Sequence, residues 1–442
     1  MQVAGALNIG AAPGSAPVAP GTLSTPTVLF SDGTGTLNFN HTATNYVFAP
    51  AISGAGSVNV LSGTTILTGT NTYIGGTTIA AGTLAVGADN NLGAAAGGIA
   101  FTGAGTLQFL SSFTTGRAVT LNATGTFDTQ ANTDALAGVI SGPGGLTKAG
   151  SGILALNAAN TYTGPTTINA GTLQTGVANA LSTATAVTVA SGATFNLNSF
   201  NQSIGSLAGG GNVALGAANL TTGNDGTSTT FSGAIGGTGG LTKVGGGAFT
   251  LAGASTYSGP TNINAGILNV NGSLASTVFL NSGGTLMGTG TIGGLNVGSG
   301  GTFAPGNSPG TMTVQGNLAF QSGAIYLVQV NPSTASSTNV TAGGSASLAG
   351  TVNAAFAAGS YVSRTYTILS AAGGLNGTTF NNLTTTNLPA GFTANLSYSA
   401  TSAILNLTAT LGSPAHPAHP AHPAHPAHPA HLADQTPSAP VP

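Results

Sequence analysis

The stretch Gly142 to Leu173, GPGGLTKAGSGILALNAANTYTGPTTINAGTL, returns at Gly237 to Leu268 as GTGGLTKVGGGAFTLAGASTYSGPTNINAGIL. A worn copy occupies Gly54 to Leu84 and ends GTNTYIGGTTIAAGTL, so that Tyr73, Tyr162 and Tyr257 hold one slot. Long internal repeats point to a fold built by stacking similar units, each too small to bury its own apolar side.

Between the Gly and Asn turns the sequence alternates apolar and polar residues in runs of about four, as in Thr36-Leu37-Asn38-Phe39 and Thr106-Leu107-Gln108-Phe109. Gly or Pro interrupts nearly every window long enough for a helix. The 72 glycines among 442 residues belong mostly in turns, because Gly inside a helix or strand costs roughly 0.5–1 kcal/mol relative to Ala. Short strands, close turns and long repeats together predict an all-β, right-handed parallel β-helix (β-solenoid). Each coil of about 20–25 residues stacks on the one below at about 4.8 Å.

The spacing places Leu146, Ile153, Leu154, Leu156, Ile168 and Leu173 inside the tube, repeated by Leu241, Phe249, Leu251, Ile263 and Leu268. It turns Thr147, Thr166, Thr167, Asn169 and Thr172 outward, where hydroxyls can wet a surface that carries 2% charged residues. Lys148 and Lys243 share a motif slot and read as solvated or turn-bonded. The predicted organisation is an N-terminal cap or linker at 1–27 and a repeat region at 28–301. A C-terminal β cap with longer, more aromatic strands follows at 302–411, and a low-complexity tail at 412–442.

In the tail, Pro-Ala-His triplets favour polyproline II or disorder, with His416, His419, His422, His425, His428 and His431 along one edge. Successive histidines in that helix lie about 9 Å apart, too far to share one metal ion without bending or a second chain. The plain reading is a semi-rigid spacer; metal capture and a pH-dependent charge are its rivals.

The repeats LTKAGSG, LTKVGGG, NTYTGPTTINAGTL and STYSGPTNINAGIL resemble the passenger-associated transport repeat of bacterial autotransporters. FAPGNSPGTMTVQGNLAF, AIYLVQV and YTILSAAGGLNG are similar to the region that precedes the membrane barrel in that family. The resemblance implies a β-helix exported to the cell surface, with a C-terminal part that helps to nucleate folding. Where the family's translocator barrel is expected, after residue 411, this sequence has the histidine tail. Met1 to Pro17 lacks the basic start and apolar block of a leader.

Chemistry is sparse. The charged residues are Asp32, Asp89, Asp128, Asp134, Asp225 and Asp434 against Arg117, Lys148, Lys243 and Arg364. Four scattered bases cannot track a phosphate backbone, so no nucleic-acid partner is expected. No apolar run reaches a membrane span. Without cysteine there is neither a disulfide nor a thiolate metal site, and no cofactor site is read.

A hydrolase on this scaffold would have to use His41 with Asp32, or the carboxylates Asp128 and Asp134. The latter pair reads more simply as turn capping. The expected function is therefore a non-enzymatic, extracellular or outer-membrane-surface passenger. It would act in adhesion to a cell-surface or glycan ligand, or as a self-associating fibre subunit. An enzyme hydrolysing polysaccharide or ester is one alternative. A threonine array binding ice or crystalline polysaccharide is another, which calls for Thr-x-Thr rows on every coil; the sequence shows them only in places.

Overall fold

The computed structural model describes residues 1–410 except 307, 308, 334, 335 and 338; the tail with its histidines lies outside the described residues. The chain is a parallel β-solenoid, and its only helical turn among the described residues is Asp89–Leu92. Among the described residues no helix is long and apolar enough to cross a membrane.

One ladder runs unbroken along the molecule, from Tyr46–Phe48 through Leu146–Ala149 and Thr166–Ile168 to Asn382–Thr386, every step parallel. A second ladder stacks Ala6–Gly10 up to Ile140–Ser141 and precedes the long ladder in each coil. From Gln202–Ser203 onwards another ladder takes that place in the coil order and reaches Arg364–Ala371. The remaining side is the ladder from Thr114–Thr115 to Ile235–Gly236. Hydrogen bonds between coils confirm the coil length, with Asn160 reaching Ala180, 20 residues on, and Lys148 reaching Ala170, 22 residues on.

Alternation along most strands decides what enters the tube. In Ile153–Leu156 the pattern buries Leu154 and Leu156, which leaves Ile153 half-buried on the outside rather than in the core where it was expected. Thr166 is the converse: it stacks on inward Leu146, is fully buried, and points inward instead of to solvent. A hydroxyl is tolerated there because Tyr162 Oη bonds it at 2.6 Å.

The 1–27 segment supplies strands to the first coil, with Gln2–Val3 on Thr27–Phe30 and Ala6–Gly10 on Thr36–Asn40. At the other end the parallel stack runs on past residue 302. Antiparallel pairing enters mainly with Ser402–Ala409, which closes against Arg364–Ala371 and against Phe392–Tyr398. Beneath this end Tyr326 stacks between Phe303, Phe320 and Phe380 at 5.4–5.9 Å, and its hydroxyl donates to the Ile368 carbonyl.

Candidate functional site

Each repeat is a two-rung unit that stacks on itself. In the middle copy Leu146 pairs with Thr166, Lys148 with Ile168 and Leu154 with Leu173. The first half of the motif is thus the floor of the second, and the copies do not recognise one another. The copies also differ in phase. Leu146–Ala149 lies on the long ladder, whereas its counterpart Leu241–Lys243 lies on the ladder that begins at Gln202–Ser203.

The polar residues that recur between copies of the motif are structural. Tyr73, Tyr162 and Tyr257 are fully buried and bond Thr77, Thr166 and Thr261 at 2.6–2.7 Å. Asn160 accepts from Ile140 N–H and donates to Ala180 C=O, substituting for a strand where the coil turns. Lys148 is turn-bonded, as one of the two readings had it, but it is wholly buried: its ammonium donates to the carbonyls of Ala149, Gly150 and Ala170. Lys243 repeats this with Val244, Gly245 and Ala265. Gly150 sits at φ +78, and a Cβ there would meet Gln130 and the Asp128 carboxylate. Burial pulls the Lys148 ammonium down to about 8, against the opposing pull of Asp128 and Asp134.

The catalytic candidates do not assemble. His41 is fully buried and bonds Thr65 Oγ1 at 2.9 Å, while Asp32 is exposed and accepts from Thr34 in its own turn. Asp128 Oδ1 caps the turn at Gln130 N–H, 2.9 Å away. Asp134 is not a turn cap but a core residue, below Leu154 in an inward column; one oxygen accepts from Phe113 N–H and the other has no partner. Burial pushes its carboxyl up to about 6. Among the described residues no group of three His, Cys, Asp or Glu side chains could hold a metal ion.

Arg117 escaped the sequence reading as anything but a charge. It is 2% exposed and grips Asp89 with two nitrogens at 2.9 and 3.1 Å, while also donating to the carbonyls of Asp89, Gly93, Ala94 and Gly97. This fastens the one helical turn to the coil above it. Only its rarity in so uncharged a chain could have singled it out.

What remains on the outside is regular. Thr64, Thr83, Thr106, Thr126, Thr147, Thr167 and Thr188 stand in register on successive rungs of the long ladder, an unbroken file at about 4.8 Å per rung. The neighbouring file carries Ile66, Ala85, Gln108, Asp128 and Ala149, so the face presents one line of hydroxyls rather than a two-file Thr-x-Thr lattice.

Residues 62–86, 146–174 and 241–270 each match the passenger-associated transport repeat, and these spans coincide with the self-stacking units. The chain carries the repeats of an autotransporter passenger. Over 146 residues, 31% of its length, the chain is 43% identical to "Adhesin BmaC autotransporter" of Brucella suis biovar 1 (strain 1330). Over 96 residues, 22% of its length, it is 44% identical to "Extracellular serine protease" of Serratia marcescens. These matches span 4% and 9% of those two proteins. The Haemophilus influenzae Hap adhesin aligns with 91% of this chain and 61% of its own, at 12% identity and a TM-score of 0.28. The repeats and the relatives that share them place the chain outside the cell or at the bacterial outer-membrane surface.

Proposed function

We propose that this passenger is a non-enzymatic adhesive rod whose contact surface is the threonine-bearing face of the long ladder. The observation that carries the reading is the threonine file itself: a straight, regularly spaced line of hydroxyls on consecutive rungs, backed by a rigid core. Such a line can exchange hydrogen bonds with a repeating partner without desolvating any charge, which is the costly part of most polar interfaces. A glycan chain at a cell surface is a partner of that kind, and so is the face of a crystalline polysaccharide. The same face on a second copy would give lateral self-association. Support for adhesion also comes from the similarity to the Brucella adhesin, and for the non-enzymatic reading from the different partners held by His41 and Asp32 and the burial of Asp134.

Thr147→Lys and Thr167→Lys place charges on the file without touching the core. In binding to whole cells and to insoluble polysaccharide, the double variant is expected to lose at least about tenfold in affinity, or about 1.4 kcal/mol. A Thr133→Lys control, at an exposed position on the ladder that runs from Thr114–Thr115 to Ile235–Gly236, keeps binding. Undiminished binding by a folded Thr147→Lys, Thr167→Lys chain would falsify the assignment, and sedimentation of the same variants reports whether the face also joins copies.

A further inference from the structure

We propose that His41 is an acid-sensitive latch that holds the N-terminal strap, residues 11–21, against the first coils. The strap leaves the strand Ala6–Gly10, has no strand of its own beyond a single bridge from Val18 to His41, and is mostly exposed. Its hydrogen bonds to the body converge on the residues flanking that histidine. Asn40 donates to the carbonyls of Ala12 and Ser15 at 3.0 and 2.9 Å, and accepts from Ala11 N–H. Thr42 N–H donates to Val18 C=O at 3.0 Å, and Tyr46 Oη to Gly21 C=O at 3.1 Å. Asn40 is consequently 4% exposed although its strand turns it outward.

The latch is dry and has no counter-charge. His41 is 0% exposed, its Nε2 faces Thr65 Oγ1, and its Nδ1 has no partner. Gly63 presses against Nδ1, where even a Cβ would clash. The strand Thr36–Asn40 contributes Phe39, edge-on at 6.3 Å, and Tyr46–Phe48 contributes the Tyr46 ring at 5.1 Å. Thr64–Leu67 contributes Thr65, and the strap contributes Val18. Among the described residues facing the imidazole only the Tyr46 phenol titrates, and it is neutral in acid, with burial pushing it up further. Asp32, the one carboxylate before Asp89, is turned onto Thr34.

A proton added to this ring makes both nitrogens donors inside a buried site, and the Ala43 backbone, the one hydrogen-bond partner that favours the charged ring, offsets only part of the cost of burying a cation there. Burial accordingly holds the His41 proton affinity below that of a free histidine. Once the medium is acid enough to protonate the ring, the imidazolium gains by moving to water. Asn40 and Thr42 move with it, and the strap, which is tied at those points and at Tyr46, comes away before the laddered coils do.

The chain has no tryptophan, so Val18→Trp, at a position 51% exposed, gives a single fluorescent reporter on the strap. Between pH 7.5 and 4 its emission is expected to show a reversible transition with a midpoint below about 6.5, while far-UV circular dichroism stays constant. Adding His41→Gln, which is neutral and can still bond Thr65, abolishes the transition; adding Asp32→Asn leaves it in place. No transition in the Val18→Trp chain, or one that survives His41→Gln or disappears with Asp32→Asn, overturns the latch. Should His41→Gln fail to fold, proton NMR of the Val18→Trp chain decides instead: one imidazole must titrate together with the emission change and apart from the tail histidines. Titration of every imidazole alongside the tail rejects the proposal.

Discussion

At the level of single residues, the interior of this solenoid holds charges where an aliphatic column would do. Asp134 lies beneath Leu154 with one carboxylate oxygen unpartnered, and Lys148 lies beneath Ile168 with its ammonium spent on backbone carbonyls. The earliest repeat shows what such a slot minimally needs, since Val60 stands on Ile79 there with no charge at all. For Asp134 the folded state binds its proton more tightly than the unfolded chain, at about 6 against an ordinary value of about 3.9. The native state therefore holds more protons between those values, so stability falls as pH rises from about 4 to 6 and the penalty is complete above that. Asp134→Asn keeps the acceptor for Phe113 N–H and removes the charge. It is expected to stabilise the chain by about 1–2 kcal/mol at pH 7, with the difference vanishing below about pH 4. Urea denaturation of both chains at pH 7 and pH 3.5 measures it, and equal stabilities at pH 7 would refute the argument.

At the level of the element, each repeat is a self-contained pair of rungs with a buried Tyr–Thr bond at its corner, and the neighbourhood of that bond differs between copies. Tyr162→Phe leaves Thr166 without its tyrosine partner, whereas after Tyr257→Phe the Thr261 hydroxyl still has Ser276 at 2.6 Å. The first variant is expected to lose about 1–2 kcal/mol and the second about half that; hydrogen exchange of the Ile168 and Ile263 amides would resolve the two. Much of this element was legible in the sequence. Alternation plus repetition gave the stacked coils, and the slots of Leu146, Leu154 and Leu173 followed from period two. Lys148 falls on the inward side by the same rule, two residues after Leu146, but an ammonium in that position reads as solvated until the carbonyls that surround it are located. The corner phase was not legible either. Which ladder a repeat joins depends on how many residues each turn consumes along the whole chain before it, and no local pattern records that sum. The threonine file was hidden for the same reason: its members are far apart in sequence and align only when every coil length is known.

At the level of the whole molecule, the rod is held by neighbour-to-neighbour contacts and shows the outside world almost no charge. The net charge is −2 over 442 residues, and of the four bases Arg117, Lys148 and Lys243 are buried and committed to carbonyls or to Asp89. An adhesive contact made by such a surface has no ion pairs to screen and no bound counterions to release. The adhesion proposed for this chain is accordingly expected to change less than about twofold between 0.05 and 0.5 M NaCl, a range over which the Debye length contracts from more than 10 Å to a few ångströms. A salt-driven loss of an order of magnitude in the same assay would mean that the few exposed charges, Arg364 among them, carry the contact rather than the threonine face. Sulfate should act in the opposite sense to simple screening, strengthening a contact that buries uncharged surface. The pair of titrations, chloride against sulfate at matched ionic strength, thereby separates a hydroxyl-lined adhesive face from an electrostatic one without altering any residue.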